Sequence, residues 1–319
     1  MDLDIFNFFP KYPNINNHKK GILNLYDDKF NKNITIKKEF QDLKLSNIEK
    51  FPENTGELMN HQKIIARFLS SNTPYKSLLL FHEMGTGKTC SSVAAIEEIK
   101  NENNSGFKGA LVFASGDGLI RNYVNEIVFK CTDGRYIPDN YDKLTEMEKL
   151  RRINKSVSDY YTFGTFQTFA KEIKKSSNQE LKNKYSNMII VIDEIHNIRE
   201  SDKKSNLDTY KQYHRFLHII ENCKIILMSG TPMKDSPEEI SSVLNLILDM
   251  DNQFPIGQSF TDEYLNINKE VITMKKNKIQ KFKNKCRGVI SYLSSMKSDI
   301  NKIFTGDKNF GKLNHFIVK

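Results

Sequence analysis

The chain of 319 residues has no long hydrophobic run. Its apolar stretches, such as residues 188–192 and 225–228, are far below the roughly 20 residues that a membrane-spanning helix needs. The N-terminus carries Asp2 and Asp4 where a secretory leader would carry positive charge and then an apolar segment. These absences predict a soluble globular protein that stays inside the cell and has no membrane partner.

Cysteine is scarce, and no two cysteines have the spacing of metal ligands. The four are scattered along the chain: Cys90, Cys131, Cys223 and Cys286. We expect them to be reduced thiols, as is usual inside cells. The sequence also contains no visible internal repeat.

Positive charge is in moderate excess, with 48 basic against 39 acidic residues and a net charge of +9. Such an excess is compatible with a polyanionic partner. Lysine supplies most of it, however, and the chain is also rich in Asn and Ile, as AT-rich coding would make it without selection for binding. Net charge therefore decides little about function.

A glycine-rich segment follows the first apolar strand. Residues 77–81, Ser-Leu-Leu-Leu-Phe, precede His-Glu-Met-Gly-Thr-Gly-Lys-Thr-Cys at 82–90. In a phosphate loop (P-loop), glycines let backbone N–H groups face the β- and γ-phosphates, the lysine supplies positive charge and the threonine hydroxyl reaches Mg²⁺.

The strict spacing of the P-loop motif requires a glycine where this chain has His82, so the prediction rests on the shorter core Gly-Thr-Gly-Lys-Thr. An ordinary turn between strand and helix is its alternative. The residues predicted to bind nucleotide are Gly85, Thr86, Gly87, Lys88 and Thr89.

Short apolar segments alternate with helical segments from residue 58 onward. Because the apolar segments are uniformly apolar, they predict a parallel sheet buried on both faces by helices, which is an α/β fold. Ligands of such sheets bind at the carboxyl ends of the strands. Polar clusters follow three of the strands, so we expect these clusters to meet at one site. The predicted strands are residues 77–81, 109–114, 160–163, 188–192 and 224–228.

Two acids, Asp193 and Glu194, directly follow the strand of residues 188–192. In phosphoryl transfer an aspartate in this place holds Mg²⁺ and a glutamate polarises the attacking water. The alternative is that the two acids cap the amide groups of a helix start. The glycine-rich loop earlier in the chain favours the catalytic interpretation.

The tetrapeptide Asp-Glu-Ile-His at 193–196, with Gly-Thr-Gly-Lys-Thr and the Ser-Gly-Thr-Pro of 229–232, resembles the motifs of superfamily 2 helicases and translocases. The first motif of that family tolerates a residue other than glycine where His82 stands. The resemblance implies a RecA-like P-loop domain with a central, mainly parallel sheet flanked by helices. It also implies ATP and Mg²⁺ as cofactors and a nucleic acid as partner.

The same resemblance implies a role for residues of each motif. The implied catalytic residues are Lys88, Asp193 and Glu194, and the implied metal ligands are Thr89 and Asp193. Gln62 would contact the adenine of the nucleotide. Coupling of hydrolysis to movement would fall to His196, Ser229 and Thr231. Contacts to the nucleic-acid backbone would fall to Ser115, Gly116 and Thr165, which are also what any loop after a strand would offer.

Longer stretches resemble proteins of large DNA viruses. Phe-His-Glu-Met-Gly-Thr-Gly-Lys-Thr, Asp-Glu-Ile-His-Asn-Ile-Arg, Ser-Gly-Thr-Pro-Met and Arg-Gly-Val-Ile-Ser-Tyr are similar to segments of the poxvirus early transcription factor small subunit, of nucleoside triphosphatase I and of their giant-virus relatives. The resemblance covers residues 58–293. It implies a role in viral transcription, in the host cytoplasm or the virion.

Three parts of the chain differ in composition. Residues 1–55 are predicted to be an N-terminal extension, residues 56–250 a RecA-like ATP-binding domain, and residues 251–319 a basic segment leading toward a second RecA-like domain. In the family that second domain supplies arginines that stabilise charge on the γ-phosphate. Here Arg287 is the only arginine after Arg215. We therefore expect the second domain in a longer chain or a separate subunit, and weak hydrolysis without it.

The leading hypothesis is the ATP-binding half of a nucleic-acid-dependent motor that hydrolyses ATP to move on DNA or RNA. One alternative is a non-motor interaction or assembly module that binds nucleotide as a structural switch. Another is a different P-loop enzyme, such as an AAA-type ATPase or a nucleotide kinase, whose arginine or lid elements we do not find. The lysine-rich run 275–287 could follow a nucleic-acid backbone or form a solvated surface.

Overall fold

The computed structural model describes residues 23–44, 56–102, 105–198, 204–233, 235–268 and 271–294. Six strands form one sheet in the order β3-β2-β4-β5-β1-β8, and every neighbouring pair is parallel. A separate antiparallel pair joins β6 and β7. The strands are β1 Ser77–His82, β2 Ala110–Ala114, β3 Tyr161–Thr165, β4 Ile189–Ile192, β5 Lys224–Ser229, β6 Leu265–Asn268, β7 Val271–Met274 and β8 Ile290–Leu293.

The sheet is buried on both faces. Ile190 and Ile192 of β4 belong to one hydrophobic cluster, whereas Ile189 and Val191 belong to the other. Successive side chains of a strand point to opposite faces, so a strand that is apolar at every position needs apolar cover on both sides. The parallel α/β fold expected from the uniform strands is confirmed.

Helices supply that cover. They are α1 Phe30–Thr35, α2 Lys38–Gln41, α3 Asn60–Leu69, α4 Lys88–Asn101, α5 Asp117–Glu126, α6 Glu146–Ser158, α7 Phe166–Lys175, α8 Asn178–Tyr185, α9 Lys204–Ile219, α10 Glu239–Asn245, α11 Gln258–Tyr264 and α12 Ile279–Cys286. The polar stretch 131–159, expected to be an insertion or a surface helix, contains α6. Its start carries a capping box in which Thr145 accepts from the amide of Glu148.

The sequence predicts an N-cap at Asn60 and a helix that starts with a capping box at Ser236, and both helices begin elsewhere in the structure. Asn60 is the first helical residue of α3 rather than its cap, because the side chain of Gln62 turns back to accept from the amide of Met59. The helix expected from Ser236 begins only at Glu239, after a turn in which the amide of Glu239 bonds to the carbonyl of Ser236.

The predicted boundary at residue 250 does not coincide with the end of the sheet. β8 lies beside β1, and Phe254 and Phe260 belong to a main hydrophobic cluster. The described part of the predicted N-terminal extension is also packed on this fold, through Leu23 and Phe30. Residues 1–22, 45–55, 269–270 and 295–319 of the two predicted flanking segments lie outside the described residues.

A disulfide corrects the expectation of four reduced thiols. Cys90 in the first turn of α4 is bonded to Cys131 at the end of a π-helical turn, Ile127–Cys131, that follows α5 and packs on α4. The two cysteines are 41 positions apart, so their spacing gave no indication of the pairing. Cys223 and Cys286 are free and buried. No helix within the described residues is long and apolar enough to cross a membrane.

Candidate nucleotide-binding site

The glycine-rich loop connects β1 to α4 at the carboxyl end of the sheet. Gly85 has a φ of +81° and Gly87 a φ of +75°, in the left-handed region that favours glycine. A Cβ on Gly87 would lie only 2.6 Å from Nε2 of Gln62, so a larger residue would displace that side chain and would also be strained at this φ. α4 begins at Lys88, and its free first amides give this end of the helix a preference for anions.

Lys88 lies across the loop. Its Nζ donates to the carbonyl oxygen of His82 at 3.0 Å and to that of Glu83 at 3.4 Å. The same nitrogen is 3.4 Å from the place where a Cβ of Gly230 would stand. The lysine therefore lies between the glycine-rich loop and the Ser-Gly-Thr-Pro turn.

Strand order brings the three polar clusters together. β4 pairs with β5 and β5 pairs with β1, so the three strands are direct neighbours. Ser229, the last residue of β5, lies opposite Phe81, the last residue but one of β1. The convergence expected from the polar clusters after these strands is thus observed.

Asp193 follows β4 and is held by the backbone. Its amide donates to the carbonyl of Phe113 at 2.8 Å, and its carboxylate accepts from the amide of Glu194 at 3.0 Å. Burial, and then the negative charge of Glu194, raise the pKa of Asp193 to about 6; Lys88 acts in the opposite direction. A nearby cation would favour the ionised form of this buried acid.

Glu194 links the acid pair to the turn after β5. It has a φ of +51°, unusual for a residue with a side chain, and its carboxylate lies 3.2 Å from Nδ1 of His196. The hydrogen bond from His196 holds the pKa of Glu194 below its usual range, against the opposing effect of burial. Nδ1 of His196 is also 3.0 Å from the hydroxyl oxygen of Ser229, which accepts from the amide of Thr231 at 3.0 Å.

Gln62 contacts the loop from α3. Its side-chain nitrogen donates to the carbonyl of Gly87 at 3.2 Å, while its side-chain oxygen accepts from the amide of Met59 at 2.9 Å. Both ends of the amide are therefore bonded to backbone. The adenine contact predicted for Gln62 remains a prediction.

The residues predicted to contact nucleic acid lie on the other half of the same edge. Ser115 and Gly116 follow β2, and Thr165 ends β3 opposite Ala114. The Thr165 hydroxyl donates to that of Thr168 at 2.9 Å, and Gly116 precedes α5. The structure thus brings these three residues to neighbouring strand ends, separated from β1 by β4 and β5.

The lysine-rich run 275–287 is largely engaged in local contacts. Lys278 and Lys281 each donate to the carboxylate of Glu263 at 2.9 Å. Lys285 donates to two backbone carbonyls, and Arg287 is paired with Asp28 at 2.7 Å. These bonds favour the alternative of a lysine-rich solvated surface over that of a run which follows a nucleic-acid backbone.

Two histidine contacts on the loop did not follow from the motifs. His61 bonds to the carbonyl of Thr86, and His82 bonds to Ser291 on β8. The sequence signal for the second was the histidine in the place of a P-loop glycine. The first had no signal beyond its position next to Gln62.

Comparison with known proteins shows the family of this chain. The family model described as the SNF2-related domain matches residues 61–309. The chain belongs to the SNF2-related domain family. "Putative helicase 087L" of Invertebrate iridescent virus 3 is 36% identical to this chain, and the match covers 100% of this chain and 30% of the relative. "Putative helicase 009L" of Frog virus 3 (isolate Goorha) is 37% identical, and the match covers 77% of this chain and 25% of the relative.

Other relatives are more distant. The early transcription factor 70 kDa subunit of Melanoplus sanguinipes entomopoxvirus is 25% identical over 87% of this SNF2-related chain and 37% of the relative. The Sulfolobus solfataricus SWI2/SNF2 ATPase core, solved in complex with dsDNA, has a TM-score of 0.44 and 16% identity, covering 78% of this chain and 47% of that one. The expected kinship with superfamily 2 helicases and with proteins of large DNA viruses is confirmed. The chain spans 25–40% of the length of the first three curated relatives it matches.

Proposed function

We propose that this chain is the ATP-binding half of a nucleic-acid-dependent ATPase that hydrolyses ATP to drive movement on DNA or RNA. The observation that carries the proposal is the convergence of the Lys88 loop with Glu194, His196 and Ser229 at neighbouring strand ends. A loop that binds phosphate is thereby joined to an acid pair, and through His196 to a turn on the next strand.

The site fits ATP and Mg²⁺ by the chemistry of its donors. The left-handed glycines lead the loop into the start of α4, whose free first amides would bind phosphate oxygens. Thr89 and Asp193 offer the hydroxyl and carboxylate oxygens that Mg²⁺ prefers. Mg²⁺ would supply neutralisation of charge on the phosphate oxygens.

Hydrolysis needs a water molecule aligned with the γ-phosphorus. Glu194 would accept its proton as the new P–O bond forms and the bond to ADP breaks. The hydrogen bond from His196 lowers the pKa of Glu194 and so keeps the carboxylate ionised. Lys88 would exchange its bonds to the His82 and Glu83 carbonyls for phosphate oxygens.

His196 would also report the state of the nucleotide to the turn after β5. Its Nδ1 is within hydrogen-bond distance of both Glu194 and Ser229, so a change at the carboxylate would alter the bond to Ser229, whose hydroxyl oxygen accepts from the amide of Thr231. Ser115, Gly116 and Thr165 would contact the nucleic-acid backbone. Arginines of a second RecA-like domain, in a longer chain or a separate subunit, would complete the site. The viral relatives support a role in viral transcription, in the host cytoplasm or the virion.

The test is ATP turnover with and without single- and double-stranded DNA and RNA. We expect slow turnover that nucleic acid stimulates. Glu194→Gln should lower the rate by about 10²–10⁴-fold while nucleotide still binds. Lys88→Ala should weaken ATP binding and lower the rate by about 10²-fold or more.

The matched controls are Glu98→Gln and Lys130→Ala, at residues outside this site. Turnover that survives Glu194→Gln would contradict the role of this acid. Nucleotide binding without turnover, even after a second RecA-like domain is supplied, would favour the non-motor interaction or assembly module.

A further inference from the structure

Two buried histidines lie between the glycine-rich loop, α3 and β8. His61 on α3 is 5% exposed, and His82 at the end of β1 is 1% exposed. Their rings meet edge to face with centroids 5.9 Å apart. Neither belongs to the catalytic acids or to the glycines of the loop.

His61 fixes one peptide group of the loop. Its Nε2 is 2.9 Å from the carbonyl oxygen of Thr86, and because a carbonyl only accepts, this nitrogen must carry the proton. In a trans peptide group the C=O and the following N–H point in opposite directions. With the Thr86 carbonyl directed at His61, the amide of Gly87 points to the opposite side, away from α3.

His82 connects the same region to β8. Its Nε2 is 2.9 Å from the hydroxyl oxygen of Ser291, and the amide of Glu83 donates to the carbonyl of Leu293 at 2.9 Å. Burial, and then the neighbouring His61 and Lys88, lower the pKa of His82 to about 4, so its ring is neutral at neutral pH. The carbonyl of His82 in turn accepts from Lys88.

We propose that His61 and His82 are positioning residues that hold the phosphate loop in its binding geometry. His61 aims the Gly87 amide at the phosphate, and His82 joins β1, the ring of His61 and β8 through Ser291. The histidine in the place of the P-loop glycine thus connects this loop to β8. The inference rests on the proposed function for its ligand, a nucleoside di- or triphosphate.

The experiment measures the affinity of the full chain for fluorescent ATP, ADP and adenosine. His61→Leu removes the donor but keeps an apolar side chain, and should weaken ATP and ADP by about tenfold while leaving adenosine unchanged. His61→Gln, which can still donate, should recover most of the affinity. Ser291→Ala should weaken ATP and ADP by about threefold to fivefold.

A control separates this role from general destabilisation. His214→Leu alters a half-buried histidine that is bonded to Gln253 at 3.1 Å, outside the loop, and should leave all three affinities unchanged. Equal losses for adenosine and ATP in His61→Leu, or unchanged affinity for both phosphorylated ligands, would overturn the positioning role.

A second readout needs no ligand. Hydrogen exchange of the segment 83–92 in nucleotide-free protein should be faster in His61→Leu than in wild type, because the Ser91 amide bonds to the carbonyl of Gly87 at the end of the loop. If wild type binds no nucleotide, the proposed function fails, but this exchange rate still tests whether His61 holds the loop in place. Unchanged exchange would then refute it.

Discussion

Glu97 offers a direct test of how α4, the helix that follows the glycine-rich loop, is held in the fold. It lies on α4, is 8% exposed, and its carboxylate accepts from the hydroxyls of Tyr136 and Tyr161, each at 2.6 Å, and from Arg135 at 2.8 Å. Tyr161 starts β3, and Tyr136 belongs to the insertion before α6. One carboxylate thus ties α4 to two other parts of the chain.

Glu97→Ala would leave two donors without their acceptor. Tyr161 is 1% exposed and Tyr136 is 3% exposed, so water does not easily replace the carboxylate. An unsatisfied buried hydroxyl costs about 1–3 kcal/mol, and loss of the half-exposed Arg135 pair adds about 0–1 kcal/mol. We expect the free energy of unfolding to fall by about 4 kcal/mol. Lys100 donates to the oxygen of the Tyr136 hydroxyl, so it cannot replace the acceptor that this hydroxyl loses.

The measurement is urea unfolding followed by circular dichroism. The matched control is Glu98→Ala, an exposed neighbour on the same helix, which should change the free energy of unfolding by less than about 0.5 kcal/mol. Glu97→Gln retains one acceptor oxygen and should cost about half as much, so it serves if Glu97→Ala does not fold. A Glu97→Ala protein as stable as the Glu98→Ala control would refute the reasoning.

Three further predictions concern stability. The disulfide between Cys90 and Cys131 closes a loop over 41 positions and should stabilise the oxidised protein by about 4 kcal/mol. Cys131→Ser should therefore lower the free energy of unfolding and make it insensitive to reductant. A Cys131→Ser protein whose stability still falls with reductant would contradict this. The pKa of His82 is about 4 in the folded state against an ordinary value of 6.5. Its contribution to the free energy of unfolding is therefore complete above pH 6.5 and is lost as pH falls toward 4, by up to about 3 kcal/mol. The melting temperature of His82→Gln should depend less on pH than that of wild type, and parallel curves would exclude His82 as the cause. Arg215 donates to the carbonyls of Ile173 and Ser176, so Arg215→Met should lower the urea midpoint by an amount equivalent to about 2 kcal/mol, and an unchanged midpoint would show that these bonds contribute nothing.

Local sequence was sufficient where short-range chemistry decides the conformation. Glycines at positions 85 and 87 predict left-handed turns because other residues avoid that region. Uniformly apolar strands predict a sheet covered on both faces, and the ends of parallel strands place their polar clusters at one edge. The sequence predicted the starts of α3 and α10 less accurately. At α3 the Gln62 side chain bonds to the amide before the helix, and at α10 a turn precedes the first helical residue.

The tertiary structure decided which distant segments meet. The pairing of β8 with β1 brings Ser291 within hydrogen-bond distance of His82, which lies 209 positions earlier. No local sequence pattern predicts this contact. The disulfide between Cys90 and Cys131 and the contact of Glu97 with Tyr161 have the same origin. Strand order and helix packing depend on how the whole core excludes water, which is a property of the complete set of apolar surfaces. The sequence by itself determined the chemistry and edge of the site, and only the packed fold decided what holds the site in place.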